Sequence, residues 1–134
     1  AAHNNGREVP PAVRNVRVVA ELDAEVCNGG FSQYFFNSSG NDAVVAASAL
    51  HAINAPQHAP IAQAACGLFG SDGPSKDREL RHRQLEAMNE IQRQRMGTLD
   101  SEWYAAEARL GHLLHLYSAA NSIAFSTARN GCSG

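Results

Sequence analysis

Apolar side chains recur at helical spacing near the start of the chain. From Val13 to Val26 they follow one helix face, at Val16, Val19, Leu22 and Val26. The run Asn28-Gly29-Gly30 predicts the end of this helix, because glycine readily adopts the left-handed conformation found at helix C-termini. The aromatic segment Phe31–Asn37 follows and fits a second helical face, although so short a run is also compatible with a strand.

Four further helices are predicted along the rest of the chain, at Ala43–Ile53, Ile61–Phe69, Ser75–Met96 and Glu102–Ser118. Turn-forming residues separate them, at Ser38–Asp42, Gly70–Pro74 and Gly97–Leu99, and Asp42 is a suitable N-cap. The pattern therefore predicts an all-α fold, a compact single-domain bundle of about six helices. We place this domain at residues 13–126, between a flexible N-terminal arm at 1–12 and a frayed C-terminal tail at 127–134.

The composition suits a folded domain and argues against several functional classes. Of the 134 residues, 44% are hydrophobic, which is enough for a packed core. The net charge of −2 argues against direct nucleic-acid binding by a polybasic surface. It argues equally against a heavily acidic chain that acts through its negative electrostatic field alone. No apolar run approaches the ~20 residues that span a bilayer, so we expect no membrane partner. With neither a signal peptide nor an initiating Met, the chain is expected to be cytoplasmic, or exported if a leader was removed before Ala1.

The cysteines and histidines do not predict a metal site. Cys27, Cys66 and Cys132 are widely spaced and form no CxxC pair, so we expect reduced thiols. A Cys66–Cys132 disulfide is the alternative for an exported protein. His112 and His115 share a helix face, but no HExxH motif or carboxylate at ligand spacing accompanies them. We therefore expect neither a metal nor a cofactor.

Polar residues cluster around the predicted Gly-Gly turn. Glu21, Glu25 and Asn28 share one stripe of the first helix, and Gln33 and Asn37 are four residues apart on the next segment. Two helices joined by this turn would bring these groups together. The two carboxylates would then either organise the turn by binding backbone N–H groups or, if burial separated their pKa values, act as an acid/base pair. No GxSxG, SxxK or Walker motif is present, so we do not expect an enzyme.

The stretch Lys76–Glu102 contains six basic and six acidic residues and therefore has no net charge. Interspersed charges of both signs on a helix are typical of a solvated face with i, i+4 pairs. A partner-binding surface is the alternative interpretation.

The block Glu21–Gly40 resembles the DNA-mimic protein 19-like family of bacteria. The resemblance rests on Asn28-Gly29-Gly30-Phe31, Gln33-Tyr34-Phe35 and Asn37-Ser38-Ser39-Gly40, and extends more loosely over residues 10–117. It implies an all-α fold and a non-catalytic role in which a negatively charged surface occupies the DNA-binding face of a protein partner. Some members of the family look like immunity or antitoxin proteins.

From these observations we predict that the chain is a protein-interaction module that binds and blocks a protein partner. A nucleic-acid-binding protein is the candidate partner. The expected contacts form an acidic patch and its neighbours, at Glu21, Asp23, Glu25, Asn28 and Asp42. We assign Phe31, Tyr34 and Phe35 to the core. One alternative is an immunity-type inhibitor of a bacterial toxin. A second is an enzyme using Glu21 and Glu25, which requires both carboxylates to line a concave pocket. Self-association as a homodimer is left open.

Overall fold

The computed structural model describes residues 9–106 and 109–125, and within these ranges it contains helices and no strand. The helices are α1 (Pro11–Phe36), α2 (Ala43–Ala52), α3 (Ala59–Gly67), α4 (Arg78–Glu86), α5 (Glu90–Ala106) and α6 (Leu110–Ala120). A short 3₁₀ helix, Ser38–Asp42, connects α1 to α2. The all-α prediction is confirmed. Residues 1–8, 107, 108 and 126–134 lie outside the described residues. They include Cys132, most of the predicted arm (1–12) and the whole predicted tail (127–134).

Helix α1 is the centre of the bundle and contacts α2, α4, α5 and α6. Its first half buries Val19, Leu22 and Val26, as the apolar spacing predicts, while Val16 is only half-buried. Its second half buries the three aromatic side chains assigned to the core, at Phe31, Tyr34 and Phe35. The ring of Phe31 meets the fully buried Trp103 of α5 edge-on, with centroids 5.7 Å apart. The aromatic segment is therefore helical, and three of its four aromatic side chains lie in the core, while Phe36 is 52% exposed.

The two glycines interrupt α1 where the sequence predicts a helix end. Gly30 has φ 79°, which favours glycine, and the helix restarts directly after it. The Phe31 N–H then donates a hydrogen bond of 2.7 Å to Oδ1 of Asp100 in α5. A Cβ atom at Gly30 would lie only 2.5 Å from Oδ2 of the same carboxylate. Asp100 therefore caps the second half of α1 from another helix, and the absent side chain at Gly30 makes room for it.

The end of α1 is held by a buried arginine from α4. The Arg81 guanidinium donates from Nε to the Phe35 carbonyl (2.6 Å), from Nη2 to the Asn37 carbonyl (2.8 Å) and from Nη1 to the Ser75 carbonyl (2.8 Å). Arg81 has no exposed surface, and this desolvation lowers the pKa of its guanidinium. Gly40 packs against it, since a Cβ there would lie 2.9 Å from the Arg81 Nε.

Several predicted helix boundaries are wrong, and local hydrogen bonds explain the differences. The predicted helix Ser75–Met96 is two helices, because Asn89 and Gln92 form a reciprocal capping box that starts α5, with N···O distances of 2.7 and 2.8 Å. The predicted break at Gly97 lies inside α5. Helix α3 is displaced by two residues from the prediction. Asp42 precedes α2 but makes no capping hydrogen bond through its side chain.

Replacing Arg81 with Ala is expected to lower the free energy of unfolding by about 3 kcal/mol or more, because main-chain carbonyls lose a charged donor within the protein. Arg83→Ala on the same helix is the control; Arg83 is exposed and should change the stability by less than about 0.5 kcal/mol. Urea unfolding of both variants measures the difference. Equal stability of the two variants would contradict the role given to Arg81.

Gly30→Ala and Gly97→Ala are expected to change the stability in opposite directions. A side chain at Gly30 would have to adopt φ 79° and ψ 179°, a conformation essentially restricted to glycine, at a cost of about 1–3 kcal/mol, and it would also collide with the Asp100 carboxylate. A Cβ at Gly97 meets nothing within 4 Å, so the higher helix propensity of Ala should add up to about 1 kcal/mol. Thermal unfolding of the two variants tests this, and a shift of the same sign in both would disprove it.

Candidate functional site

A groove opens where α1, the 3₁₀ helix and the start of α4 meet, with a volume of about 650 Å³. Its charged lining consists of Glu21, Glu25 and Asp42 together with Arg17 and Arg78. Amide and hydroxyl side chains also line it, at Asn37, Asn41, Ser38 and Ser39. We call it the carboxylate groove. It brings together three of the contact residues predicted from the sequence.

Arg17 lies between two of the three carboxylates. Its Nη1 atom is 3.4 Å from Oε1 of Glu21, one helical turn away, and 3.3 Å from Oδ2 of Asp42 at the other side of the groove. The side chains are 48%, 43% and 34% exposed for Arg17, Glu21 and Asp42. Ion pairs this open to water contribute at most about 1 kcal/mol each, so they can exchange partners at small cost.

Glu25 is held by the segment beyond the Gly-Gly turn. Its Oε2 atom accepts a 2.6 Å hydrogen bond from Nδ2 of Asn37, twelve residues further along the chain. The Asn37 carbonyl is in turn bound by Arg81. The turn therefore brings Glu25 and Asn37 together, as the sequence suggested, and Gln33 does not join them because it lines a different groove.

The other two predicted contacts lie outside the carboxylate groove. Asp23 is about 200° around α1 from Glu21, and its Oδ1 accepts a 2.9 Å hydrogen bond from the indole Nε1–H of Trp103. Asn28 is exposed beside the turn and does not line the groove. The five residues are thus divided between a groove, a contact with α5 and an exposed position.

Arg17, Asn37 and Arg78 are groove residues that were not predicted as contacts. The i, i+4 spacing of Arg17 and Glu21 is a signal in the sequence that predicts their pairing. Arg78 enters the groove wall because its Nε donates to the Phe36 carbonyl at 2.9 Å and its guanidinium lies 5.7 Å from the centre of the Phe36 ring. No local pattern predicts that contact, since the two residues are 42 positions apart.

The groove surrounds the Arg17 guanidinium with two carboxylates, and its geometry also meets the requirement set for the enzyme alternative, that both glutamates line a concave pocket. Glu21 and Glu25 line one concave surface, but each is already engaged, by Arg17 and by Asn37. Among the described residues no group of three His, Cys, Asp or Glu side chains is arranged to hold a metal ion. Because Glu21 and Asp42 flank the Arg17 guanidinium, the arrangement suits a guanidinium or ammonium group.

The remaining chemical candidates lie elsewhere in the fold. His112 and His115 are exposed on α6. Burial raises the pKa of the Cys66 thiol to about 11, and its Sγ lies 3.4 Å from the Ala43 carbonyl; the proposed pairing with Cys132 lies outside the described residues. Within residues 9–106 and 109–125, no helix has the length and apolar character of a membrane span.

The family comparison covers both the groove and the fold. The model of the DMP19-like protein family matches residues 7–121, which is most of the chain. The chain belongs to the DMP19-like protein family. This confirms the resemblance based on the block from Glu21 to Gly40, and every residue of the carboxylate groove falls within the matched range. No curated protein and no solved structure matches the chain.

Asp23→Ala is expected to lower the free energy of unfolding by about 1–3 kcal/mol, because the indole N–H of the buried Trp103 loses its acceptor. Asp23→Asn retains a side-chain oxygen and should lose less. Urea unfolding followed by the fluorescence of the single tryptophan measures both, with the exposed Glu79→Ala as the control. A stability of Asp23→Ala equal to that of the control would contradict a structural role for Asp23.

Proposed function

We propose that this member of the DMP19-like family binds a protein partner non-catalytically, by holding basic side chains of the partner in the carboxylate groove. The observation that carries the proposal is the position of Arg17, whose guanidinium lies between Glu21 and Asp42. A groove that accommodates one guanidinium group from its own chain has the geometry to accept another from a partner. Charge-assisted bonds of this kind are among the stronger and more directional polar contacts.

The partner that suits this groove is a nucleic-acid-binding protein. Such proteins neutralise phosphates with Arg and Lys side chains at their nucleic-acid-binding surface. If the carboxylate groove binds these side chains, this protein covers that surface and blocks it. The family membership supports this partner class. Arg17 and Arg78 offset much of the charge of the three carboxylates, so the proposed recognition depends on local geometry and not on a large negative field.

The exposed ion pairs explain how the groove can be both occupied and available. Arg17, Glu21 and Asp42 retain a third or more of their side-chain surface in water. A partner arginine that displaces Arg17 therefore replaces weak, hydrated pairs and loses little in doing so. Glu25, held in position by Asn37, adds a third carboxylate at the same wall.

The test is a triple variant, Glu21→Gln, Glu25→Gln and Asp42→Asn, in the full chain. Affinity for a partner captured from the source organism and then purified should fall at least about tenfold, since several charged contacts are lost together. The control triple, Glu79→Gln, Glu86→Gln and Glu90→Gln, removes the same charge from exposed positions of α4 and α5. It should change the affinity less than about twofold.

Competition with nucleic acid identifies the partner class. If the partner is a nucleic-acid-binding protein, adding the nucleic acid that it recognises should displace this protein from it. The affinity of the partner for this protein and its affinity for the nucleic acid should both fall as the salt concentration rises. Equal affinity of the two triple variants would overturn the groove as the binding surface. If the captured partner is a toxin and nucleic acid does not displace this protein from it, the proposed partner class is wrong and the immunity-type alternative is favoured.

A further inference from the structure

A second groove runs between the second half of α1, the end of α4 and the part of α5 from Arg93 to Asp100. Its volume is about 700 Å³, and it is separate from the carboxylate groove apart from Asn37, which lines both. Four apolar side chains line it, at Phe36, Leu85, Met88 and Met96. We call it the methionine groove. Met88 and Met96 form its floor and belong to the core, with 8% and 5% of their surface exposed, so Phe36 supplies most of its open apolar surface.

Phe36 is an exposed aromatic side chain that the fold holds in place. Its ring is stacked on His82, with centroids 4.1 Å apart and planes 8° from parallel, while 52% of the residue is exposed. Its carbonyl accepts hydrogen bonds from Arg78 Nε and lies 2.6 Å from His82 Nε2. A large apolar surface that is immobilised but not covered is costly in water and suited to a binding partner.

Gly97 forms part of the α5 wall of this groove without being required by the fold. It lies inside a helix, where glycine costs about 1 kcal/mol relative to alanine. A Cβ at Gly97 would meet nothing within 4 Å, so no neighbour within the described chain demands the smaller residue. The missing side chain leaves an opening in the wall through which the backbone of a second helix can approach closely.

Opposite charges lie at the two ends of the same helix face. Arg93 and Asp100 both line the groove and are seven residues apart on α5, which separates them by about 10 Å along the axis. Met96 and Gly97 lie between them. The Asp100 carboxylate is partly stripped of water, which raises its pKa, so a cationic partner group there would offset its desolvation.

We propose that the methionine groove is a docking site for a helix of a partner protein that presents one large apolar side chain between a basic and an acidic residue. The basic residue faces Asp100, the apolar side chain packs on Phe36 and the two methionines, and the acidic residue faces Arg93. On the partner helix the acidic, apolar and basic residues occupy positions i, i+3 or i+4, and i+7, which place all three side chains on one face of a helix parallel to α5.

The test uses a defined peptide and does not need the natural partner. The probe is a fluorescein-labelled, alanine-rich helical peptide of about 15 residues with Glu, Leu and Lys at relative positions i, i+4 and i+7. Two control peptides replace Leu with Gln, or Lys with Glu. Fluorescence anisotropy should show saturable binding of the probe to the full-length protein, and each control should bind at least about tenfold more weakly.

Variants of the protein locate the binding. Gly97→Leu fills the opening in the wall and should weaken binding of the probe at least about tenfold, whereas Gly111→Leu, at another exposed helical glycine with open space around it, should leave it unchanged. Asp100→Asn retains an oxygen for the Phe31 N–H, removes the charge and should weaken binding several-fold. The triple variant of the carboxylate groove should bind the probe normally, so the two sites can fail separately.

Three results would overturn the proposal. The first is the absence of saturable binding of the probe to the wild-type protein. The second is equal binding of the Leu and Gln peptides. The third is equal binding of the probe to the wild type and to Gly97→Leu, when thermal unfolding shows that the variant is folded. Any of these results removes the methionine groove as a helix-docking site.

Discussion

The buried guanidinium of Arg81 is the interaction on which the rest of this structure depends. In the described part of the chain its hydrogen-bond acceptors are all main-chain carbonyls, those of Phe35, Asn37, Ser75 and Lys76. An unpaired buried charge is costly, and these carbonyls of the last turn of α1 and the following loops compensate for it. One side chain thus joins the end of α1, the start of the 3₁₀ helix and the approach to α4. Gly40 is part of the same arrangement because a side chain there would collide with Arg81 and with the Tyr34 carbonyl.

Both grooves follow from this anchored end of α1. Asn37 offers its carbonyl to Arg81 and its side-chain amide to Glu25, so the position of a carboxylate in one groove depends on the buried arginine. Phe36, one residue earlier, is held through its carbonyl by Arg78 and His82 and presents its ring to the other groove. The anchored segment therefore positions side chains in both grooves, and it contains part of the motif on which the resemblance to the DMP19-like family rests.

The sequence predicted those features that depend on neighbours along the chain. The apolar stripe from Val19 to Val26, the interruption at Gly29-Gly30 and the core aromatics all follow from local spacing and backbone preference. Arg81 was instead interpreted as part of a solvated, charge-balanced helix, because its acceptors are up to 46 positions away. Asp23 was grouped with Glu21 and Glu25 by charge alone, although its angle around α1 directs it to Trp103. The capping box of Asn89 and Gln92 was visible in the sequence and outweighs the glycine at 97 as a boundary signal.

The weak net charge of −2 acquires a different meaning once the groove is known. Three carboxylates gather in one place while most other acidic residues alternate with basic ones, so binding of a basic surface rests on where the charges lie. The most direct measurement is an NMR titration of the full chain with a short arginine-rich peptide, observing the Nε–H signal of Arg17 and the side-chain amide of Asn37. The account predicts that both signals shift in a saturable way as peptide guanidinium groups replace Arg17 between Glu21 and Asp42. Unchanged signals for both groups at saturating peptide would contradict it.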